Sequence, residues 1–102
     1  MSLGGLVKQM DYRLINNEAN KQYEFHIDGL IPRIVYQKSG DKIYLINTEV
    51  PLELGGKGIT KQLVEKVLKD IQKRGLKLVP LCPFVKKYLQ RHPEWEFLVD
   101  EN

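Results

Sequence analysis

In the stretch "EVPLELGGKGITKQLVEKVL", residues 49–68, three glycines precede a lysine-bearing amphipathic pattern. A helix N-terminus carries partial positive charge, so Asp, Glu, Ser or Thr normally stands there. Here the nearest charged residues from Gly55 onward are Lys57 and Lys61. Cations on the positive pole oppose the helix unless an anion arrives from outside. A strand, a glycine-rich turn and a helix N-terminus make such an anion site, because glycine admits positive φ and brings backbone N–H groups close to a phosphate. The spacing excludes two nucleotide motifs: "GGKGIT" is neither GxxxxGK[ST] nor GxGxxG. The residues alone leave a second reading open, a flexible turn into a surface helix with scattered lysines.

The lone thiol is the next candidate. Cys82 follows the apolar run "LKLVPL" and precedes a helix start at Pro83. The positive pole of a helix favours a nucleophilic thiolate. A small buried residue closing a strand–helix join has the same sequence signature. His26 falls on the polar side of a strand pattern, with no Asp or Cys at useful spacing, and His92 in "RHPEW" fits a helix end beside Pro93. Two separate histidines and one cysteine give no metal signature, so no metal is expected. Trp95 is most simply a core or lid residue.

The elements that must position these residues read as follows. Residues 11–17 suit a short strand ending in an Asn-rich turn. Tyr23, Phe25 and Ile27 alternate with Glu24, His26 and Asp28, the period of a half-buried strand. Gly29 interrupts, and "LIPRIVYQ" resumes with Pro32 near its start. "KSGDK" is a hairpin signal leading into "IYLINTEV". Ile59, Leu63, Val64, Val67, Leu68 and Ile71 make one helical stripe, and Gly75 stops it. "LKLVPL" is a buried strand, residues 83–92 a second helix with Phe84, Tyr88 and Leu89 inside, and residues 95–99 a last short strand. The order is β-β-β-β-α-β-α-β. The strand–helix–strand crossover requires a parallel pair, so the fold class is α+β or mixed α/β, with helices packed on a twisted mixed sheet.

The chain has 102 residues, 42% apolar and 28% charged, which is one soluble domain with a modest core. Residues 10–102 are expected to form that domain, with residues 1–9 a leader or flexible tail. No apolar run approaches the roughly 20 residues needed to span a bilayer, and no secretory pattern is visible, so no membrane partner is expected. One cysteine excludes an internal disulfide and suits a cytoplasmic location. The net charge of +3 is mild. The helix lysines are interleaved with Glu65 and Asp70 and lack an aromatic platform, which argues against nucleic acid. Exposed edge strands fit a monomer or weak dimer.

The block from "NTEVPLELGGKGITKQLVEKVL" to "RGLKLVPLCPFVKKYLQRHPEW" resembles the small single-domain GNAT-type acetyltransferases, within the acyl-CoA N-acyltransferase superfamily. The similarity runs over roughly residues 14–99. It implies acetyl-CoA, or coenzyme A, as co-substrate and an amine as acceptor. Its pyrophosphate turn, Q/R-x-x-G-x-G/A, falls on Gly55, Gly56, Lys57, Gly58, Ile59 and Thr60, with Lys61 next. Gly58 keeps the central glycine; Gly55 replaces Gln or Arg, and Thr60 replaces Gly or Ala. The short form of the family has His-Thr-Glu-Val at the strand end, where this chain has Asn47-Thr48-Glu49-Val50.

The resemblance further implies a backbone N–H near Val50 meeting the thioester carbonyl. Glu49 is then the candidate base, Cys82 lies beside the acyl end, and Tyr88 is a candidate acid. The implied activity is acetyl transfer to a primary amine of a peptide, protein lysine or small molecule. The alternative, suggested by Asn47, Gly55 and Thr60, is a non-catalytic coenzyme A-binding module.

Overall fold

The computed structural model describes residues 10–101; the expected leader, residues 1–9, lies outside them. Four antiparallel strands come first: β1 (Ile15–Asn17), β2 (Gln22–Glu24), β3 (Arg33–Ser39) and β4 (Lys42–Glu49). A 3-10 turn, Leu52–Leu54, leads to helix α1 (Ile59–Lys73). Strand β5 (Lys77–Pro80) and helix α2 (Pro83–Arg91) follow. The sheet order is β1-β2-β3-β4-β5, and β5 joins β4 in parallel, as a crossover through α1 demands. The mixed fold class stands.

The local reasons are legible. Asp28 and Gly29 both take positive φ (51° and 81°), a two-residue hairpin closed by reciprocal hydrogen bonds between Ile27 and Leu30 (2.9 and 2.8 Å). All six stripe residues of α1 are buried. The helix ends in a paired cap: Gly75, at φ 69°, donates to Gln72 and Leu76 donates to Ile71. Tyr23 from β2, Phe25 just after it, Ile34 from β3, and Ile43 and Leu45 from β4 meet this stripe in one core. Tyr23 sends its hydroxyl out of that core to Asp70 (2.7 Å). Burial first, and Asp70 second, push the Tyr23 phenol far above its ordinary range, so it stays a donor.

Two expectations need correction. Residues 95–99 do not form a strand. Pro93 starts a 3-10 helix, Pro93–Leu98, and the chain meets the sheet only beyond it, through a parallel bridge of Val99 to Leu78 and the Asp100 N–H donated to the Leu78 carbonyl (2.8 Å). Proline has no N–H to give a ladder, and its fixed φ suits a helical start. In α2 the inner face is Val85, Tyr88 and Leu89, whereas Phe84 is 55% exposed. Positions 85, 88 and 89 share one helical stripe, which turns 84 outward.

Leu68 sits at 0% exposure in the middle of α1. Leu68→Ala is expected to cost about 2–5 kcal/mol of unfolding free energy, read as a lower urea midpoint at unchanged slope. A cost below about 0.5 kcal/mol would place Leu68 outside the core.

Candidate functional site

Strands β4 and β5 are paired only from Lys42 to Leu45 on β4. Then they part. The N–H groups of Leu81 and Cys82 both donate to the Leu45 carbonyl (3.0 and 2.9 Å), and the chain turns into α2. Pro80 and Pro83 supply no donors on this path, so the ladder cannot continue. On β4, Val35 faces Asn47 and Tyr36 faces Leu45, which leaves Ile46 as the extra residue of a bulge. Beyond it, Asn47, Thr48 and Glu49 keep β3 alone as partner.

Alternation sends the side chains of this free end to two faces. Glu49 faces solvent on one side. Its Oε1 accepts from Arg33 (2.5 Å) and its Oε2 from Asn47 Nδ2 (2.7 Å). Arg33 also donates to the Ile31 carbonyl (3.0 Å), so the carboxylate is held at both oxygens. Thr48 faces the other way, where its Oγ1 lies 2.9 Å from the Sγ of Cys82. Cys82 is the N-cap residue of α2 and is 1% exposed. It therefore closes the strand–helix join, one hydroxyl away from the parted strand.

The glycine turn follows directly. Gly56 and Gly58 have φ of 75° and 71°, which L side chains rarely adopt. Gly55 has ordinary φ, but a Cβ there would stand 3.2 Å from the Leu52 carbonyl. That contact is tight, so the Leu52 carbonyl would have to shift slightly for any side chain at this position. Gly58 caps α1 with no side-chain hydrogen bond, and the first turn holds no acid. Ile59 points its side chain into the core, so its backbone alone is available to a ligand.

Two openings meet at Phe84. One is lined by Arg33, Thr48, Glu49, Val50 and Pro51. The other lies between α1 and α2 and is lined by Thr60, Lys61, Lys87, Tyr88 and Arg91. Of the expected site residues, Glu49 and Val50 line the first opening and Thr60, Lys61 and Tyr88 the second, with Phe84 common to both, while Cys82 is buried and lines neither. Tyr88 is largely buried and stacks on His92 at 4.1 Å. Burial, then the Glu65 and Glu94 carboxylates, raise its phenol above the ordinary value. Sequence reasoning missed Arg33, Thr48, Phe84, Lys87 and Arg91. The first two needed the strand register, and the others only the helical phase of α2.

His26 has a partner that spacing did not suggest. Its Nε2 lies 2.8 Å from Oε1 of Glu24, a carboxylate 4% exposed that also accepts from Asn17 and Gln22. Burial pushes the Glu24 carboxyl up, but the bonds from His26, Gln22 and Asn17 outweigh it, and the net direction is down. Among the described residues no group of three or more His, Cys, Asp or Glu could hold a metal ion. A depressed carboxylate stabilises the fold above its ordinary value of 4.5 and loses that stabilisation as pH falls below it. Glu24→Gln is therefore expected to flatten the decline of stability below pH 4.5, followed by urea melts at stepped pH. An acid limb as steep as the parent's would remove Glu24 from the acid response.

Comparison with known proteins bears on the family and the fold. Residues 22–98 match the family described as GCN5-related N-acetyl-transferase. Protein NATD1 of Homo sapiens is 29% identical over 99 residues, covering 94% of this chain and 88% of the relative. Protein NATD1 of Gallus gallus is 28% identical over 99 residues, covering 94% and 90%. A GCN5-like protein from Staphylococcus aureus, solved in solution by NMR, shares the fold with a TM-score of 0.67 at 24% identity, covering 87% of this chain and 88% of that one. The chain belongs to the GCN5-related N-acetyl-transferase family.

Proposed function

We propose that this protein transfers the acetyl group of acetyl-CoA to a primary amine. The observation that carries the reading is the parting of β4 from β5 beside an uncapped helix N-terminus. The backbone N–H groups of Gly56 to Thr60 present donors to a pyrophosphate, and Lys57 and Lys61 add positive charge. The unpaired end of β4 offers backbone donors to an extended arm, and the N–H of Val50 suits the thioester carbonyl, where charge develops in the transition state. Lys87 and Arg91 line the opening between α1 and α2 beside Thr60 and Lys61 and suit further phosphate.

Acetyl transfer needs a neutral amine and a protonated leaving thiol. Glu49, exposed and held in place by Arg33 and Asn47, takes the amine proton directly or through water. Tyr88 keeps its proton and can donate it to the leaving thiolate. Cys82 is too enclosed to serve as a free nucleophile, so its role in this reading is to shape the acyl end. The groove is shallow and open, which suits an acceptor amine carried on a peptide. The second reading, a coenzyme A-binding module without transfer, draws on Asn47 in place of histidine and on Thr60 at the turn.

The test is thiol release from acetyl-CoA in the presence of lysine peptides and small primary amines. With an accepted amine, Glu49→Gln is expected to lower kcat by about 100-fold or more while KM for acetyl-CoA holds. Tyr88→Phe is expected to lower kcat as well. Unchanged kcat in Glu49→Gln removes the base assignment. Coenzyme binding with no transfer to any amine leaves the binding-module reading.

A further inference from the structure

A second recess lies at the far end of the sheet, where the β1–β2 turn, β3 and the end of α1 meet. Its lining includes Glu18, Lys21, Tyr36, Lys38, Ile43 and Arg74. Ile43 and Glu49 are six residues apart on β4, so this recess is about 20 Å from the groove described above. β1 and β2 are joined by a turn of four residues, 18–21.

The placement of two lysines here is unusual. The Lys21 carbonyl accepts from Tyr36 N–H (2.9 Å), which sets Lys21 opposite Tyr36. Lys38 stands opposite Ile43. Tyr36 and Ile43 point to the core, so Lys21 and Lys38 start from the core face of the sheet and reach past its rim. Arg74 joins them from the end of α1. Two acids are near: Asp70 lies 2.7 Å from Arg74, and Glu18 lies 3.9 Å from it. Lys21 and Lys38 have no ion-pair partner among the described residues. Three cations against two carboxylates leave an excess positive charge over a wall of Tyr23 and Tyr36, whose rings are 5.2 Å apart. At the carbonyl end of α1, the Arg74, Gly75 and Leu76 N–H groups occupy the carbonyls of Asp70, Gln72 and Ile71.

From this convergence we infer that the recess is a binding site for a small phosphate-type anion, separate from the coenzyme groove. Its volume, about 180 Å³, is below the roughly 300 Å³ at which sites for larger organic ligands begin. A phosphate group fits that scale; a nucleotide does not.

The experiment is a titration of the full chain with inorganic phosphate at constant ionic strength, followed by amide NMR. The expected result is saturable shifts at residues 16–21, 36–38 and 74–76. Binding should weaken at least tenfold in the double variant Lys21→Asn, Lys38→Gln, and persist unchanged in Gly58→Arg. Asparagine tolerates the φ of 54° at position 21, and both lysines are exposed, so the double variant keeps the fold. A parallel arm uses phenyl phosphate: tighter binding than phosphate assigns an aromatic phosphomonoester, and equal binding assigns the free ion. Shifts that never saturate, that fall only on residues 55–61, or that survive in the double variant would overturn the site.

Discussion

One carbonyl decides where β4 and β5 part beside the glycine turn. The Leu45 oxygen accepts from both Leu81 and Cys82, and that shared acceptor ends the β4–β5 ladder. Prolines on either side of the pair deny β5 the donors to go further. The Ile46 bulge then turns the remainder of β4 away. A closed sheet would have spent these backbone groups on itself. The parted strands leave them open, a few residues before the glycine turn, and set Thr48 against Cys82 and Glu49 against Arg33 on opposite faces.

The helix start follows the same logic in energetic terms. A side-chain cap contributes about 1 kcal/mol, and an acid in the first turn about 0.3–1 kcal/mol. Helix α1 does without both and adds lysines instead. The loss is bearable because six buried residues tie α1 to the sheet. It still matters against a total stability of about 5–15 kcal/mol. An anion bound at Gly56 to Thr60 would return that stabilisation on binding, which couples ligand affinity to the ordering of the helix end.

Much of the fold was legible because period and punctuation agree. The helical stripe, the Gly75 stop, the 38–42 hairpin and the strand alternation each have a local physical cause. The final segment was not. "WEFLV" has strand composition, but Pro93 sets the backbone before that composition can act. Phe84 misled by its apolar character; the phase of α2 turns it outward, where it joins two openings. At the site, the glycine turn was readable, since it is one contiguous run. The pairs Arg33–Glu49, Thr48–Cys82 and Glu24–His26 were not, because register and strand alternation, not motif spacing, create them.

The central claim is that the turn ahead of α1 binds the pyrophosphate of coenzyme A. Calorimetric titration with CoA and acetyl-CoA tests it most directly, on the parent chain and on Gly58→Arg. The account predicts micromolar binding in the parent and its loss in the variant, with the far-ultraviolet spectrum of the variant unchanged. Absence of binding in the parent, or equal binding in a folded Gly58→Arg, would contradict it.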